Sequence, residues 1–279
     1  MEKIMLAINS SPINKQTIDF ACYLATLTHS RLHGIFFEDL EGEPLPRLKN
    51  VYGAPFVETV VTADIPENKI RVEQLQHNKK MFEMTCSNKG IKGNYTWHNS
   101  EALEDIITET RFADLLVTDA EFAPGHKTSH VLNSFLKKVL AKSECPVLIA
   151  PYEFEGIDEI VFAYDGSPSS VFAIKQFTYL FPQLSDKRCI IVQVNKREDM
   201  PLVEKEKINE LLSLHYSSIG YHFLKGKASE ELLGYMLKRK GALLVMGAFG
   251  RSLLSGFFKS STSEDLIRTA NLPIFITHI

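Results

Sequence analysis

Two short segments near the C-terminus have residue types and spacing that suit ligand chemistry. Residues 247–251 read GAFGR, and residues 260–264 read SSTSE. The first segment follows an apolar run that predicts a buried strand, and the second begins a predicted helix. Glycines at a strand end let a ligand approach the backbone, and a helix start favours anions. The pattern indicates a phosphate-binding loop. A tight turn followed by an N-cap serine is the alternative interpretation.

Other candidate chemistries have weaker support in the residues. His126 and His130 have the spacing of two metal ligands on a helix, but Pro124 and Gly125 predict a loop, which favours solvated histidines. The patterns GxSxG and GxxxxGK[ST] are absent from the sequence, so a serine hydrolase and a P-loop motor are unsupported. The four cysteines form no CxxC pair, which predicts buried thiols in a reducing compartment.

Composition narrows the classes of function further. The chain has 279 residues, 44% of them hydrophobic and 23% charged, which is typical of about two globular domains. Its net charge is −3, so no basic surface is available for nucleic acid in general. No apolar run reaches the length of a membrane span or of a signal-peptide core. We therefore expect a cytoplasmic protein with no nucleic-acid or membrane partner.

An internal repeat organises the chain. Three pairs of similar segments recur in the same order: residues 3–12 and 159–168, residues 114–118 and 242–246, and residues 145–149 and 272–276. The first half is longer, and we place its extra residues at 41–67, where weak alternation indicates a strand or hairpin. The two halves meet around residues 151–156.

The second half alternates predicted strands with predicted helices. The strands are residues 160–164, 189–194, 222–224, 243–247 and 273–278, and the helices are residues 169–181, 204–216, 229–239 and 263–270, with Ser229 as an N-cap. Short apolar strands between amphipathic helices predict a parallel sheet covered on both faces. Ligands of such sheets bind beyond the carboxyl ends of the strands, where the strand order reverses.

These motifs resemble the universal stress protein family. The similarity rests on DGS at residues 165–167, on GxxGx9SS from residue 247, and on LPI at residues 272–274. Because it covers both halves, the chain resembles a tandem, two-domain member. The resemblance implies an α/β fold with two Rossmann-like (adenine nucleotide alpha hydrolase-like) domains, each a five-stranded parallel sheet with helices on both faces. The domains expected are residues 1–151 and 156–279.

The resemblance also implies partners and a ligand. The family pairs its domains through their last strands, so residues 147–150 and 274–277 are expected to lie antiparallel, and two chains could pair again as a homodimer. The ligand implied for the second half is ATP or a related adenine nucleotide, with Mg²⁺ as its companion ion. The cofactor-binding residues implied are Asp165, Gly166, Ser167, Val194, Met246, Gly247, Gly250, Arg251, Ser260, Ser261 and Thr262. Asp165 and Val194 would contact adenine and ribose, and the glycines and hydroxyl residues the phosphates.

Both halves depart from the family pattern, the first half much further. In the second half, Ser260 stands where the family has its third glycine. In the first half, Asn9 replaces Asp165, while Asp119 and Phe122 stand where Gly247 and Gly250 stand. An acidic side chain repels phosphate, and a phenylalanine lacks the conformational freedom of glycine. We therefore predict that the first half does not bind ATP in the family manner. A different small ligand remains open there.

Three functions follow, in order of preference. The first is a cytoplasmic stress-response protein whose second domain binds an adenine nucleotide as a conformational signal. The second is a nucleotide-independent scaffold that recognises unknown protein partners. The third is a slow ATP hydrolase, ranked last because no general base is evident near Ser261. The sequence assigns no catalytic residue and no metal ligand, so a binding protein is favoured over an enzyme.

Overall fold

The computed structural model describes residues 1–38, 45–51, 54–60, 65–98, 102–122, 134–195, 201–247 and 272–277, with the backbone alone for residues 45–51 and 54–60. The first half of the chain contains β1 (Lys3–Ile8), α1 (Lys15–Thr28), β2 (Arg31–Phe37), β3 (Leu45–Val51), β4 (Ala54–Val60), α2 (Pro66–Asn88), β5 (Asn94–His98), α3 (Ala102–Thr110), β6 (Leu115–Thr118), α4 (Ser134–Lys142) and β7 (Val147–Ile149). The second half contains β8 (Glu159–Ala163), α5 (Pro168–Leu180), β9 (Arg188–Asn195), α6 (Lys205–Ser213), β10 (Ile219–Lys225), α7 (Ala228–Met236), β11 (Ala242–Gly247) and β12 (Ile274–Thr277).

The described strands other than β3 and β4 form one ten-stranded sheet in the order β10-β9-β8-β11-β12-β7-β6-β1-β2-β5. Within each half the five strands are parallel. In each half the strand order reverses beside the first strand, between β1 and β6 and between β8 and β11. The predicted α/β fold, with a five-stranded parallel sheet in each half, is therefore confirmed.

The two halves join through their last strands. β7 pairs with β12 in antiparallel orientation, with Ile149 opposite Ile274 and Val147 opposite Ile276. The predicted pairing of the last strands is thus confirmed. Because the seam is antiparallel, the carboxyl ends of the parallel strands lie at opposite edges of the sheet in the two halves. The division of the chain into domains at residues 151–156 stays a prediction.

Helices cover both faces of the sheet because the strands are apolar on both faces. One buried cluster joins strand residues such as Phe162 to α1, α2, α5 and α6. The other joins strand residues such as Val161 to α3, α4 and α7. Each cluster contains residues of both halves, so the core continues across the seam.

The extra segment of the first half contains the predicted hairpin. β3 and β4 pair antiparallel, with Leu45 opposite Val60 and Val51 opposite Ala54. The hairpin lies within the predicted extra residues 41–67, and α2 begins at Pro66 near their end. Proline suits the first position of a helix, where the missing N–H has no partner to lose.

The predicted N-cap role of Ser229 was wrong. The carbonyl of Lys227 accepts from the N–H groups of Glu230 and Glu231, so α7 begins at Ala228 and Ser229 lies within its first turn. The Ser229 hydroxyl is buried and has no partner in the described part of the chain. The predicted helix at residues 263–270 lies outside the described residues.

The four cysteines are buried thiols, as predicted. Cys22 of α1 and Cys86 of α2 contact each other, with 3.8 Å between their sulfur atoms. Burial raises the pKa of Cys145 and of Cys189 to about 12, which keeps both thiols protonated. Within the described ranges, no helix is long and apolar enough to cross a membrane.

Candidate functional site

The carboxyl edge of the second half brings several predicted site residues together. β8 lies between β9 and β11, so the three strands end side by side. Asp165 follows β8, Val194 lies at the end of β9, and Gly247 ends β11. The strand order reverses between β8 and β11, which is where open α/β sheets bind their ligands.

The connection from β8 to α5 is a hydrogen-bonded turn built by three of these residues. The Asp165 Oδ1 atom accepts from the Ser167 N–H at 3.0 Å. Gly166 has a φ of +75°, a conformation that suits glycine. The Ser167 hydroxyl caps α5 by accepting from the Ser170 N–H at 3.2 Å. The sequence DGSP therefore fixes the start of α5 and leaves the exposed carboxylate of Asp165 with a second oxygen outside this turn.

Gly247 is required for close packing. A Cβ atom at this position would overlap the Ser169 side chain and lie 2.5 Å from the Ser169 carbonyl oxygen. The sequence reading assigned Gly247 the freedom to take a positive φ, yet it is not among the described glycines with positive φ. Its absent side chain instead lets the first turn of α5 contact the end of β11. Met246 is fully buried, and its side chain belongs to the core rather than to an accessible surface.

A segment that the sequence analysis missed lies over the ends of β8 and β9. The buried amide of Gln193 donates to the Pro201 carbonyl at 3.0 Å and accepts from the Val203 N–H at 3.0 Å. The Tyr164 hydroxyl donates to the Val203 carbonyl at 3.0 Å. A Cβ on Gly166 would lie 2.9 Å from the Val203 Cβ. Gln193 is a polar residue inside an apolar strand, and this was the feature of the sequence that could have indicated a buried polar contact with another segment.

Thr277 adds a polar group that the sequence analysis also missed. It ends β12 directly opposite Gly247 in the strand register. Its side chain is buried, and its hydroxyl has no partner among the residues that the structure describes. A buried hydroxyl without a partner is costly, so this position suits a further polar contact at the end of β11.

The remaining predicted site residues lie outside the described residues. They are Gly250, Arg251, Ser260, Ser261 and Thr262. His126 and His130, the weak metal candidates, also lie outside them. In the described part of the chain, no group of three His, Cys, Asp or Glu residues could hold a metal ion.

The carboxyl edge of the first half carries a pocket of about 400 Å³. Asn9, which follows β1, and Asp119, which follows β6, both line it. Leu272, which precedes β12 in the second half, also lines it, so the pocket lies beside the seam. The Asp119 Oδ1 atom accepts from the Glu121 N–H at 2.8 Å. Desolvation raises the pKa of the Asp119 carboxyl to about 6.

Phe122 serves the core of the first half. Its ring is buried, and its centroid lies 5.8 Å from that of Phe37 and 5.7 Å from that of Phe135. The position that corresponds to Gly250 is therefore filled by an apolar ring that packs between β2 and α4. The first half thus has an aromatic core residue where the second half has the second glycine of its predicted phosphate loop.

Comparisons with known proteins agree with the fold. Residues 194–278 match the model of the universal stress protein family. The universal stress protein Slr1230 of Synechocystis sp. is 25% identical over 294 residues, which cover 98% of this chain and 99% of that protein. Strand order and crossover helices define a Rossmann-like α/β protein. The matches confirm the resemblance to the universal stress protein family that the motifs predicted: residues 194–278 match the family model, and a named member is similar along nearly the whole chain.

Two solved structures are similar along nearly the whole chain. A universal stress protein from Archaeoglobus fulgidus DSM 4304 superposes with a TM-score of 0.66 at 14% identity, covering 99% of this chain and 98% of that one. A protein of unknown function from Pseudomonas aeruginosa PAO1 superposes with a TM-score of 0.57 at 15% identity, covering 100% of this chain and 92% of that one. At these identities the likeness concerns the fold.

Proposed function

We propose that the second half binds ATP or a related adenine nucleotide and that the bound state acts as a conformational signal in a cytoplasmic stress response. The observation that carries the proposal is the convergence at one sheet edge of the Asp165 turn, Val194 and Gly247. The GAFGR and SSTSE segments continue directly from that edge in the sequence. In this proposal residues 1–151 and 156–279 are the two domains.

Each residue type has a defined role in the proposed site. The Asp165 oxygen outside the turn accepts from ribose hydroxyls, as acidic residues do near strand ends of related sheets. Val194 and Val203 offer apolar contact to the adenine ring. The residues proposed to bind the phosphates are Gly247, Gly250, Arg251, Ser260, Ser261 and Thr262. Their N–H groups, hydroxyls and guanidinium donate to phosphate oxygens, and Mg²⁺ binds together with those oxygens.

The proposed signal is a shift in population between two states of the chain. A nucleotide changes such an equilibrium only through a difference in affinity for the two states. Pro201–Val203, held by Gln193 and Tyr164 over the adenine end, is the described segment that a ligand would contact first. The phosphate loop would be the second contact. Protein partners, including a second copy of the chain, would read the state.

Calorimetric titration of the full chain with ATP and Mg²⁺ tests the proposal. We expect about one site per chain, and we expect Gly250→Asp to abolish the heat because a carboxylate would repel the phosphates. Gly234→Asp is the matched control. Gly234 lies in α7 with open space where its side chain would be, so the same change should leave binding intact.

A negative titration result distinguishes a nucleotide-binding protein from a nucleotide-independent scaffold. Absence of heat and of any thermal shift with ATP, ADP and AMP would overturn nucleotide binding and favour a scaffold. Equal binding by the wild type and by Gly250→Asp would place the nucleotide elsewhere in the chain. Phosphate release that Gly250→Asp leaves unchanged would remove ATP hydrolysis at this site.

A further inference from the structure

The pocket of the first half has a polar group that no described residue satisfies. Asn9 is 94% buried, since its relative exposure is 6%, and it lines the pocket. Its Oδ1 atom accepts from the Ser11 N–H at 3.1 Å, and its backbone carbonyl accepts from Asn78. Its Nδ2 atom is buried and has no partner in the described part of the chain. A buried donor of this kind favours a ligand that brings an acceptor.

The same pocket offers an acceptor that is poorly solvated. The half-buried Asp119 carboxylate accepts from the Glu121 N–H, the Phe122 N–H also faces it, and no described residue forms an ion pair with it. Burial without a cation leaves the lone pairs that these N–H groups do not occupy suited to hydroxyl or amino donors. A carboxylate at the carboxyl edge of a parallel sheet has the geometry that binds the vicinal hydroxyls of ribose.

The pocket also has an apolar wall on its seam side. Ile13, Ala150 and Leu272 are buried residues that line it. The side-chain amide of Asn14 donates to the Tyr152 carbonyl at 2.7 Å, which fixes the chain after β7 against the start of α1. Tyr152 lines the pocket with a ring that is 64% exposed. A flat ring system can therefore pack between aliphatic and aromatic surface.

The charges of the pocket disfavour phosphate. Asp119 and Glu121 both line it, and Lys15 is the one cation among the described lining residues. The Lys15 side chain is 67% exposed and pairs with Asp19 at 3.8 Å. A phosphate group would therefore meet two carboxylates and one solvated, partly neutralised ammonium group. In the low dielectric of a pocket, this repulsion is stronger than in water.

We propose that this pocket binds an unphosphorylated nucleoside-type ligand, through Asn9 and Asp119, and rejects the corresponding nucleotide. The Asn9 amide donates to a ring or carbonyl acceptor, and the Asp119 carboxylate accepts from the vicinal hydroxyls. The pocket volume of about 400 Å³ lies within the usual range for small-molecule sites. The proposal concerns a different edge of the sheet from the nucleotide site and stands if that site fails.

Adenosine is the probe, and the full chain with Asp165→Asn and Gly250→Asp is the host, so that both the ribose contact and the phosphate loop proposed for the second half are disabled while the turn acceptor at residue 165 is kept. We expect calorimetry or equilibrium dialysis to give saturable binding of about one adenosine per chain. AMP and 2′,3′-dideoxyadenosine should each bind at least about tenfold more weakly, because one adds phosphate and the other lacks the hydroxyls.

Two variants test the two residues without disturbing their turns. Asn9→Asp keeps the acceptor for the Ser11 N–H but removes the donor, and Asp119→Asn keeps the acceptor for the Glu121 N–H but removes the charge. Each should weaken adenosine binding by about tenfold, and Asp119→Asn should also reduce the discrimination against AMP. Asn88→Asp and Asp186→Asn make the same chemical changes at exposed positions and should leave the affinity unchanged. Unchanged thermal midpoints would exclude misfolding.

Three results would overturn the proposal. One is the absence of saturable adenosine binding in both the wild type and the double-variant host. Another is adenosine binding that the Asp165→Asn and Gly250→Asp changes abolish and that Asn9→Asp and Asp119→Asn leave intact, which would place it in the second half. The third is equal affinity for adenosine and AMP in the double-variant host. Failure of ATP to bind the wild type would affect only the proposed function.

Discussion

The first strand of each half is followed by the same turn, in which the Oδ1 atom of the first turn residue accepts a hydrogen bond. Asn9 Oδ1 accepts from the Ser11 N–H at 3.1 Å, and Asp165 Oδ1 accepts from the Ser167 N–H at 3.0 Å. The second atom differs, because it is a buried donor in Asn9 and an exposed acceptor in Asp165. The turn thus uses one atom of this side chain and leaves the other outside it.

The end of the fourth parallel strand shows a larger difference between the halves. In the second half Gly247 contacts the backbone of Ser169, so the strand end and the helix start are packed together. In the first half Asp119 follows β6, and Ile13 and Asp119 line a pocket instead. The strand end and the helix start are therefore packed together at Gly247, whereas a pocket lies beside Asp119.

The largest expected effect comes from adding a side chain at Gly247, where the end of β11 packs against the start of α5. Gly247→Ala should destabilise the protein by about 2–3 kcal/mol, because the new methyl group meets the Ser169 backbone, which cannot rotate away. Thermal and denaturant unfolding measure the effect. Gly234→Ala is the matched control: its Cβ meets nothing within 4 Å in α7, so it should stabilise the helix by about 0.5–1 kcal/mol. Equal effects at both glycines would contradict the packing role of Gly247.

A pH-dependent effect should distinguish Asp119 from its surroundings. Because desolvation raises its pKa from 3.8 to about 6, the folded chain binds more protons than the unfolded chain between these values. The contribution of Asp119 to stability therefore falls as the pH rises through this window. Asparagine does not titrate, so Asp119→Asn should gain about 1–2 kcal/mol relative to the wild type between about pH 4 and pH 7.5.

Denaturant titration at the two pH values measures this difference. Glu121 faces Asp119 and contributes to the raised pKa, and Lys15 lines the same pocket. Asp165→Asn makes the same change at an exposed aspartate of the second half and is the control. A gain for Asp119→Asn that is equal at both pH values would show that the carboxyl is not desolvated.

The smallest expected effect compares the two helix caps. Asn14 caps α1 by accepting from the Gln16 N–H at 3.0 Å, and Ser167 caps α5. Each change to alanine should cost about 1 kcal/mol of stability. Asn14→Ala should cost about 0.5–1 kcal/mol more, because it also removes the bond to the Tyr152 carbonyl. Asn14→Asp keeps the oxygen that caps the helix and removes only the N–H that donates to the Tyr152 carbonyl, so it measures the contribution of that second bond. Equal unfolding midpoints for Asn14→Asp and Asn14→Ala would contradict the cap assignment.

Local patterns predicted most of the fold. The apolar runs that became β8, β9 and β11 are short and flanked by turn residues, so their length and borders identify them as strands. The repeat then supplied the arrangement of the first half, and the family resemblance supplied the antiparallel last strands. The hairpin signal of β3 and β4 was weak because few residues alternate there.

Contacts between distant residues could not be predicted in this way. The reason for Gly247 lies in Ser169, and the bonds that hold Val203 come from Gln193 and Tyr164. Such contacts depend on how helices and loops pack, which no local spacing encodes. Ser229 was assigned as a cap because of its residue type alone, whereas the helix begins where the Lys227 carbonyl receives its first bonds. The phosphate loop stays a prediction.

The seam between β7 and β12 is an association within one molecule. Only three residue pairs define it, from Ile149 with Ile274 to Val147 with Ile276. Tethered partners have an effective concentration in the millimolar range or above, which separate chains seldom reach. A short strand pair that would dissociate between two free molecules can therefore persist here at any dilution, so the relative placement of the two carboxyl edges does not depend on protein abundance.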